Sequence, residues 1–303
     1  MNNCPCSEFR SFTDADIPVV KEYLARAKYL ESNHNIVNMV MWRFYFPLYI
    51  CVQEHYLCLI GKHQNQWFMY MPLCEKRYFK EALLCMKTYF DNAKIPFVMS
   101  CFTKDETYLV KEFVDDIVVY EDRDGFDYVY SIEQLKSLSG KKLQKKRNHL
   151  NAFYKEFEGR FMYETIHSGN MDECLRFLDL WKFENDDLMM IEEKRGIKEV
   201  FRLWDVLGCK GGVLRIDNEV KAFIISSPLC GNMAQINVEK ADVSIRGCYQ
   251  AILVEHIKDC LLEYEFVNRE DDMGMDSLRQ AKMAYNPCTM IKKYRLKKEV
   301  LYD

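Results

Sequence analysis

The sequence predicts a duplicated α/β fold, mixed sheets flanked by helices, with a first domain over 1–124 and a second over 125–303. Three observations carry this reading. The chain has 303 residues, enough for two ordinary domains with sizeable cores. Apolar residues make up 49% of it and only 12 Gly and 7 Pro occur, so it is compact, not disordered or fibrous. Helix, strand and turn signals run in a similar order through both halves, and the polar stretch 122–127 with Gly125 separates them.

In the first half, Thr13 and Asp16 make a capping-box pattern, with Asp in place of the usual Glu. The helix after them sets Ile17, Val20, Leu24, Ala27 and Leu30 on one face. Residues 48–60 read as strand, break, strand, and 67–71 as a strand stopped by Pro72. A helix over 78–90 carries the stripe Phe79, Leu83, Met86 and Phe90. A strand at 96–100, a helix at 104–113 and a strand at 117–120 complete this half.

The second half opens with a helix over 143–157. Leu143, Leu150, Phe153 and Phe157 face inward, and Lys142, Lys145, Lys146 and His149 face outward. A helix over 171–184 turns Cys174, Leu175, Leu178 and Trp181 inward. The next, over 192–207, carries Ile197, Val200, Phe201 and Trp204 and stops at Gly208. Strands 212–216 and 220–226 form a hairpin about Asp217-Asn218. Then come a strand at 232–238, a helix at 247–262, a strand at 264–267, a helix at 277–285 and a closing strand at 289–296.

Several classes are excluded. The 13 cysteines are odd in number and scattered, and the amino end lacks a basic region followed by an apolar core. Free thiols in a reducing cytoplasm are expected. Cys4 and Cys6 are too close for a metal knuckle and no H-E-x-x-H occurs, so no metal is expected. The stretch 39–60 contains Arg43, Pro47, Gln53, Glu54 and His55 and reads as strands instead of a membrane span. With a net charge of -4, contact with a polyanion must come from a local patch.

Three segments carry candidate chemistry. The run 134–155 holds Lys136, Lys141, Lys142, Lys145, Lys146, Arg147 and Lys155 and no acid, so one helix face can hold pyrophosphate or an RNA backbone. A solvated surface is the competing reading. After the strand at 232–238 come Glu239 and Lys240, then Arg246-Gly247 at a helix start, where free amides and a guanidinium fork suit a phosphate. An ordinary strand-to-helix turn competes with this. The strand at 264–267 ends in Asn268-Arg269-Glu270-Asp271-Asp272. Glu239 and Glu270 are expected to converge, so that one accepts a proton from an attacking amine or hydroxyl. Arg269 or Asn268 would orient a carbonyl or phosphate, Asp271 and Asp272 would bind an amine or cap the next turn, and Lys282 would pair with Glu270, meet a phosphate or lie at the surface; a solvated acidic turn is the competing reading. Tyr285 is read as a donor to a leaving group or as a core ring with its hydroxyl at the edge. No cysteine has a histidine partner legible in the sequence, so a thiol nucleophile is not expected.

The runs Ile236-Asn237-Val238-Glu239-Lys240-Ala241, Gly247-x-Tyr249-Gln250, Asn268-Arg269-Glu270-Asp271 with Gly274, Leu278-Arg279-x-Ala281-Lys282 and Tyr285-x-Pro287 resemble the DUF2156 family. That family is similar to the C-terminal catalytic part of bacterial phosphatidylglycerol lysyltransferases. The resemblance extends to 127–130, 140–148 and 38–42. It implies two tandem GNAT-like domains and transfer of an acyl or aminoacyl group to an amine or hydroxyl, with the pocket near 238–249. The donor it implies is aminoacyl-tRNA or acyl-CoA. The acceptor is a small molecule, a peptide or a lipid. The chain departs from the Q/R-x-x-G-x-G/A loop of coenzyme A enzymes, reading Asp242-Val243-Ser244-Ile245-Arg246-Gly247-Cys248-Tyr249 with one glycine. That departure and the basic run favour charged tRNA. A non-catalytic ligand- or RNA-binding protein on the same fold is the rival reading.

Overall fold

The computed structural model describes residues 8–180 and 188–298. Cys4, Cys6, Trp181 and the end of the helix expected over 171–184 lie outside the described residues. The chain divides into two compact units, 1–126 with 291–303, and 127–290.

In the first unit the strands are β1 (Arg10–Ser11), β2 (Leu48–Val52), β3 (Tyr56–His63), β4 (Gln66–Met69), β5 (Leu73–Cys74), β6 (Val98–Phe102) and β7 (Ile117–Glu121). Its helices are α1 (Ile17–Ala27), α2 (Ile36–Trp42), α3 (Phe79–Ala93) and α4 (Lys104–Lys111). The Thr13–Asp16 capping box forms, on a short 3-10 turn that leads into α1. α1 stops at Ala27 because Lys28 turns left-handed, which leaves Leu30 exposed instead of on the apolar face. The 39–42 stretch, read as strand, is the end of α2, started by the Asn35 side chain accepting from Val37 N–H. The α3 stripe of Phe79, Leu83, Met86 and Phe90 is buried against the sheet as expected.

The second unit starts with β8 (Asp127–Ser131), α5 (Ile132–Ser137), α6 (Gln144–Glu156), β9 (Phe161–Thr165), α7 (Met171–Leu180), α8 (Leu188–Arg202) and α9 (Trp204–Leu207). It continues with β10 (Lys210–Ile216), β11 (Glu219–Cys230), β12 (Met233–Ala241), α10 (Cys248–Cys260), β13 (Phe266–Asn268), α11 (Asp276–Met283) and β14 (Thr289–Ile291). The hairpin turn at Asp217 and Asn218 has φ of 50° and 67°, the left-handed pair that a two-residue hairpin needs. The apolar faces of α5, α6 and α10 bury Leu135, Leu143, Leu150, Phe153, Ile252 and Leu253 against one side of the sheet. β8, α5 and β9 were missed in the sequence. They are short, and β8 is buried on both faces and shows no alternation.

The predicted closing strand is two strands in two sheets. Its first residues are β14, and the rest is β15 (Tyr294–Lys298), which lies in the first unit. The sheet orders are β1-β2-β3-β4-β6-β15-β7 and β9-β10-β11-β12-β13-β8-β14. Each sheet therefore has antiparallel strands, then one parallel neighbour (β4 with β6, β12 with β13), then an antiparallel strand (β15 beside β6, β8 beside β13). One strand crosses over: β8 opens the second unit and lies in its sheet, whereas β15 follows the second unit in the chain but completes the first sheet.

Candidate active site

The site forms where two parallel strands part. β12 and β13 pair only at Met233, Ala234 and Gln235 with Phe266, Val267 and Asn268. β12 then runs on to Ala241 while β13 ends. Into this opening Arg269 reaches back, and its Nη2 donates to Glu239 Oε2 at 2.6 Å. The two side chains keep only 12% and 10% of their surface exposed. Glu239 Oε1 and Arg269 Nη1 are buried with no hydrogen-bond partner among the described residues.

Aromatic rings frame the pair. The Arg269 guanidinium lies 4.6 Å from the Tyr285 ring centre and 5.5 Å from that of Tyr130. The Lys146 ammonium lies 4.2 Å from the Tyr285 ring centre. Gln250 Nε2 donates to the Tyr285 hydroxyl at 2.9 Å. Burial resists the charge of Arg269, but Glu239 outweighs it and raises the guanidinium pKa. Burial lowers the Lys146 ammonium, and neighbouring Arg269 lowers it further. Burial also pushes the Tyr285 hydroxyl up to about 12, so it carries its proton at neutral pH.

Glu239 and Glu270 do not converge, contrary to the expectation from sequence. Gln235 and Asn268 are direct partners, so they share a face of the sheet, and there Gln235 Nε2 donates to Glu270 Oε1 at 2.8 Å. Beyond Gln235, β12 bulges, since Ile225 pairs with Val238 while Ser226 pairs with Ile236. Asn237 is the extra residue and inverts the alternation that follows. Glu239 thus joins Ala234, Ile236 and Ala241 on the face that α6 and α10 cover. A bulge leaves no mark in periodicity, which is why the pairing of carboxylates read plausibly in one dimension.

The other expected residues divide between the site and its support. Lys240 faces away and its Nζ contacts both oxygens of Glu193 on α8, at 2.9 and 2.8 Å. Asn268 Nδ2 donates to Asp127 at 3.0 Å and its Oδ1 accepts from Glu270 N–H at 2.7 Å, so it braces the strand end. Asp271 Oδ1 accepts from Met273 N–H. Lys282 Nζ donates to the carbonyls of Arg269 and Asp271. Asp272 accepts two bonds from Arg279, at 3.0 and 2.9 Å, and one from the Tyr128 hydroxyl. Burial works against its charge, but Arg279, Tyr128 and the Gly274 amide hold Asp272 down at about 2. Tyr130, Gln250 and Gln235 were missed as site residues. Tyr130 and Gln250 fell within family-like runs, and only the fold shows that they meet.

A cationic surface adjoins the pair. Lys141, Lys142, Lys145 and Arg246 are exposed, and Lys146 is half-buried. Burial lowers the His149 imidazole, and Arg246, Lys145 and Lys146 lower it further. Gly247 caps α10 with φ of 86°, and a Cβ there would sit 2.3 Å from the His149 carbonyl oxygen, so α10 starts hard against α6. The Cys248 N–H in this first turn is taken by Ile245 O at 3.2 Å. The Cys248 thiol is buried, and burial pushes it up to about 12, so it keeps its proton at neutral pH. Among the described residues no three metal-ligating side chains gather, and no helix is long and apolar enough to cross a membrane. A cavity of about 570 Å³ in the first unit, lined by Phe12, Asp14, Arg43 and Tyr49 among others, contains none of these groups.

The two mixed sheets flanked by helices make a tandem GNAT-like fold. The chain belongs to the family described as phosphatidylglycerol lysyltransferase, C-terminal, whose profile matches residues 25–297. It is similar to a conserved protein of unknown function from Bacteroides thetaiotaomicron, at 27% identity and a TM-score of 0.89, covering 96% of this chain and 99% of that one. L-PGS from Bacillus licheniformis shares the fold at 12% identity and a TM-score of 0.69, over 97% and 94% of the two chains. A tandem GNAT protein from the clavulanic acid biosynthesis pathway shares it at 9% identity and a TM-score of 0.50, over 98% and 99%. An uncharacterized protein of Mycoplasmoides gallisepticum is 29% identical over 197 residues, 62% of this chain. The chain spans 60% of the length of that curated relative.

Proposed function

We propose that the second unit is an aminoacyl transferase, which takes the aminoacyl group of a charged tRNA and passes it to an amine or hydroxyl. The observation that carries this reading is the half-used ion pair. A buried polar atom without a partner costs about 1–3 kcal/mol. Glu239 Oε1 and Arg269 Nη1 are two such atoms on one ion pair, one an acceptor and one a donor. A reacting ester offers the complement. Its carbonyl oxygen takes the Arg269 N–H, where negative charge develops. The acceptor attacks the carbonyl carbon and gives its proton to Glu239 Oε1. The ester C–O bond breaks and that proton passes to the leaving ribose oxygen. Tyr285 lies beside Arg269 as a protonated hydroxyl held by Gln250, a second donor for that oxygen.

Lys141, Lys142, Lys145, Lys146 and Arg246 would hold the tRNA phosphates. Two features weigh against coenzyme A. The α10 entrance has a single glycine packed on α6, and its first free amide is already bonded. The family description, naming phosphatidylglycerol, supports a lipid hydroxyl as acceptor. A small-molecule or peptide acceptor uses the same atoms.

The test supplies the protein with tRNA charged with labelled amino acids, or with labelled acyl-CoA, and with phosphatidylglycerol vesicles or soluble amines. Transfer from tRNA, lost in Glu239→Gln and Arg269→Lys but with tRNA binding kept, is expected. Transfer only from acyl-CoA would overturn the donor. Tight RNA binding with no transfer to any acceptor would leave a binding protein.

A further inference from the structure

We infer that Lys282 is a positioning residue, which locks the Arg269 main chain so that its guanidinium stays on Glu239. This rests on the reading of the Glu239–Arg269 pair given above. Lys282 lies in the last turn of α11, and its ammonium donates to the carbonyls of Arg269 and Asp271. The carbonyl between them, of Glu270, accepts from Tyr128 N–H at 3.2 Å, and Arg269 N–H donates to Tyr128 O at 2.9 Å. Both polar main-chain groups of Arg269 are therefore committed.

The segment needs such a lock. Glu270 and Met273 are both left-handed, with φ of 60° and 50°, a conformation that side chains other than glycine's resist. Side chains answer the amides of this turn: Asn268 for Glu270, Asp271 for Met273 and Asp272 for Gly274. For the carbonyls of Arg269 and Asp271, Lys282 is the side chain that answers. An ammonium suits this place because three N–H donors radiate from one atom, so a single group can serve two carbonyls. Burial lowers the Lys282 ammonium, and Glu270, Asp271 and Asp127 oppose that lowering. A substrate phosphate would have to break both main-chain bonds to claim it.

The experiment reads Arg269 directly, by NMR on the whole chain, with its Nε–H signal assigned from Arg269→Lys. In Lys282→Met that proton is expected to exchange with water about tenfold faster, as a locally opened site does. Lys282→Arg keeps the charge and has N–H donors enough for both carbonyls, and is expected to restore the wild-type signal. An unchanged Arg269 signal in Lys282→Met overturns the inference, as does equal loss in a folded Lys282→Arg. Should Lys282→Met not fold, the wild type decides. Scalar couplings across the bonds from Lys282 Nζ to the carbonyl carbons of Arg269 and Asp271 are expected, and their absence overturns the lock. In the transfer assay, Lys282→Met should lower kcat about tenfold while KM for the donor moves little, the sign of a misplaced group. A wild type that transfers nothing defeats the transferase reading alone, because the NMR result still judges Lys282.

Discussion

Arg269 and Glu239 are 30 residues apart in the chain and meet 2.6 Å apart across the gap between two parted strands. Taking one partner away leaves the other charged and buried, which costs about 3–5 kcal/mol. Arg269→Met should therefore shift the urea midpoint far more than a surface change does. The double variant Glu239→Gln with Arg269→Met should recover most of that loss. Additive losses would show that the two side chains do not act as a pair.

The strand that crosses over gives a sharper test. β15 lies between β6 and β7 in the first sheet, and its Leu296 is fully buried in that unit's core. Removing the chain from residue 292 onward should leave the first unit open to protease while residues 127–290 persist as a resistant fragment. Loss of the second unit instead would refute the topology.

His256 sets a pH dependence. Its Nε2 meets the Ser226 hydroxyl at 2.8 Å and its Nδ1 the Tyr163 hydroxyl at 3.0 Å. Burial lowers its pKa from 6.5 to about 3. Between those two values the unfolded chain binds a proton that the folded chain refuses, so stability falls as pH drops. The slope is about 1.4 kcal/mol for each pH unit crossed. His256→Gln should flatten that window in urea titrations. Asp16 and Asp272, both held at about 2, contribute a separate loss that begins only below the ordinary carboxylate value of 3.8.

Gly247→Ala places a methyl group 2.3 Å from the His149 carbonyl oxygen, at a residue with φ of 86°. The left-handed conformation alone costs about 1–2 kcal/mol. A fall in Tm of roughly 2–4 °C per kcal/mol is expected. An unchanged Tm would mean that α10 does not begin against α6.

Local physics was legible in one dimension. The α3 stripe, the Asp217-Asn218 turn, the Thr13 cap and the basic α6 face all depend on neighbours a few residues away, and side-chain period and turn chemistry report those. Arg269 and Gly247 were legible too, because a charged cluster at a strand end and a lone glycine before a helix each have a local reason. The return of β15 to the first sheet, the inversion at Asn237 and the turning of Lys282 onto main-chain carbonyls were decided by tertiary structure. Each depends on which distant backbone lies alongside, and a strand buried on both faces or bulged by one residue carries no periodic signal of its partner.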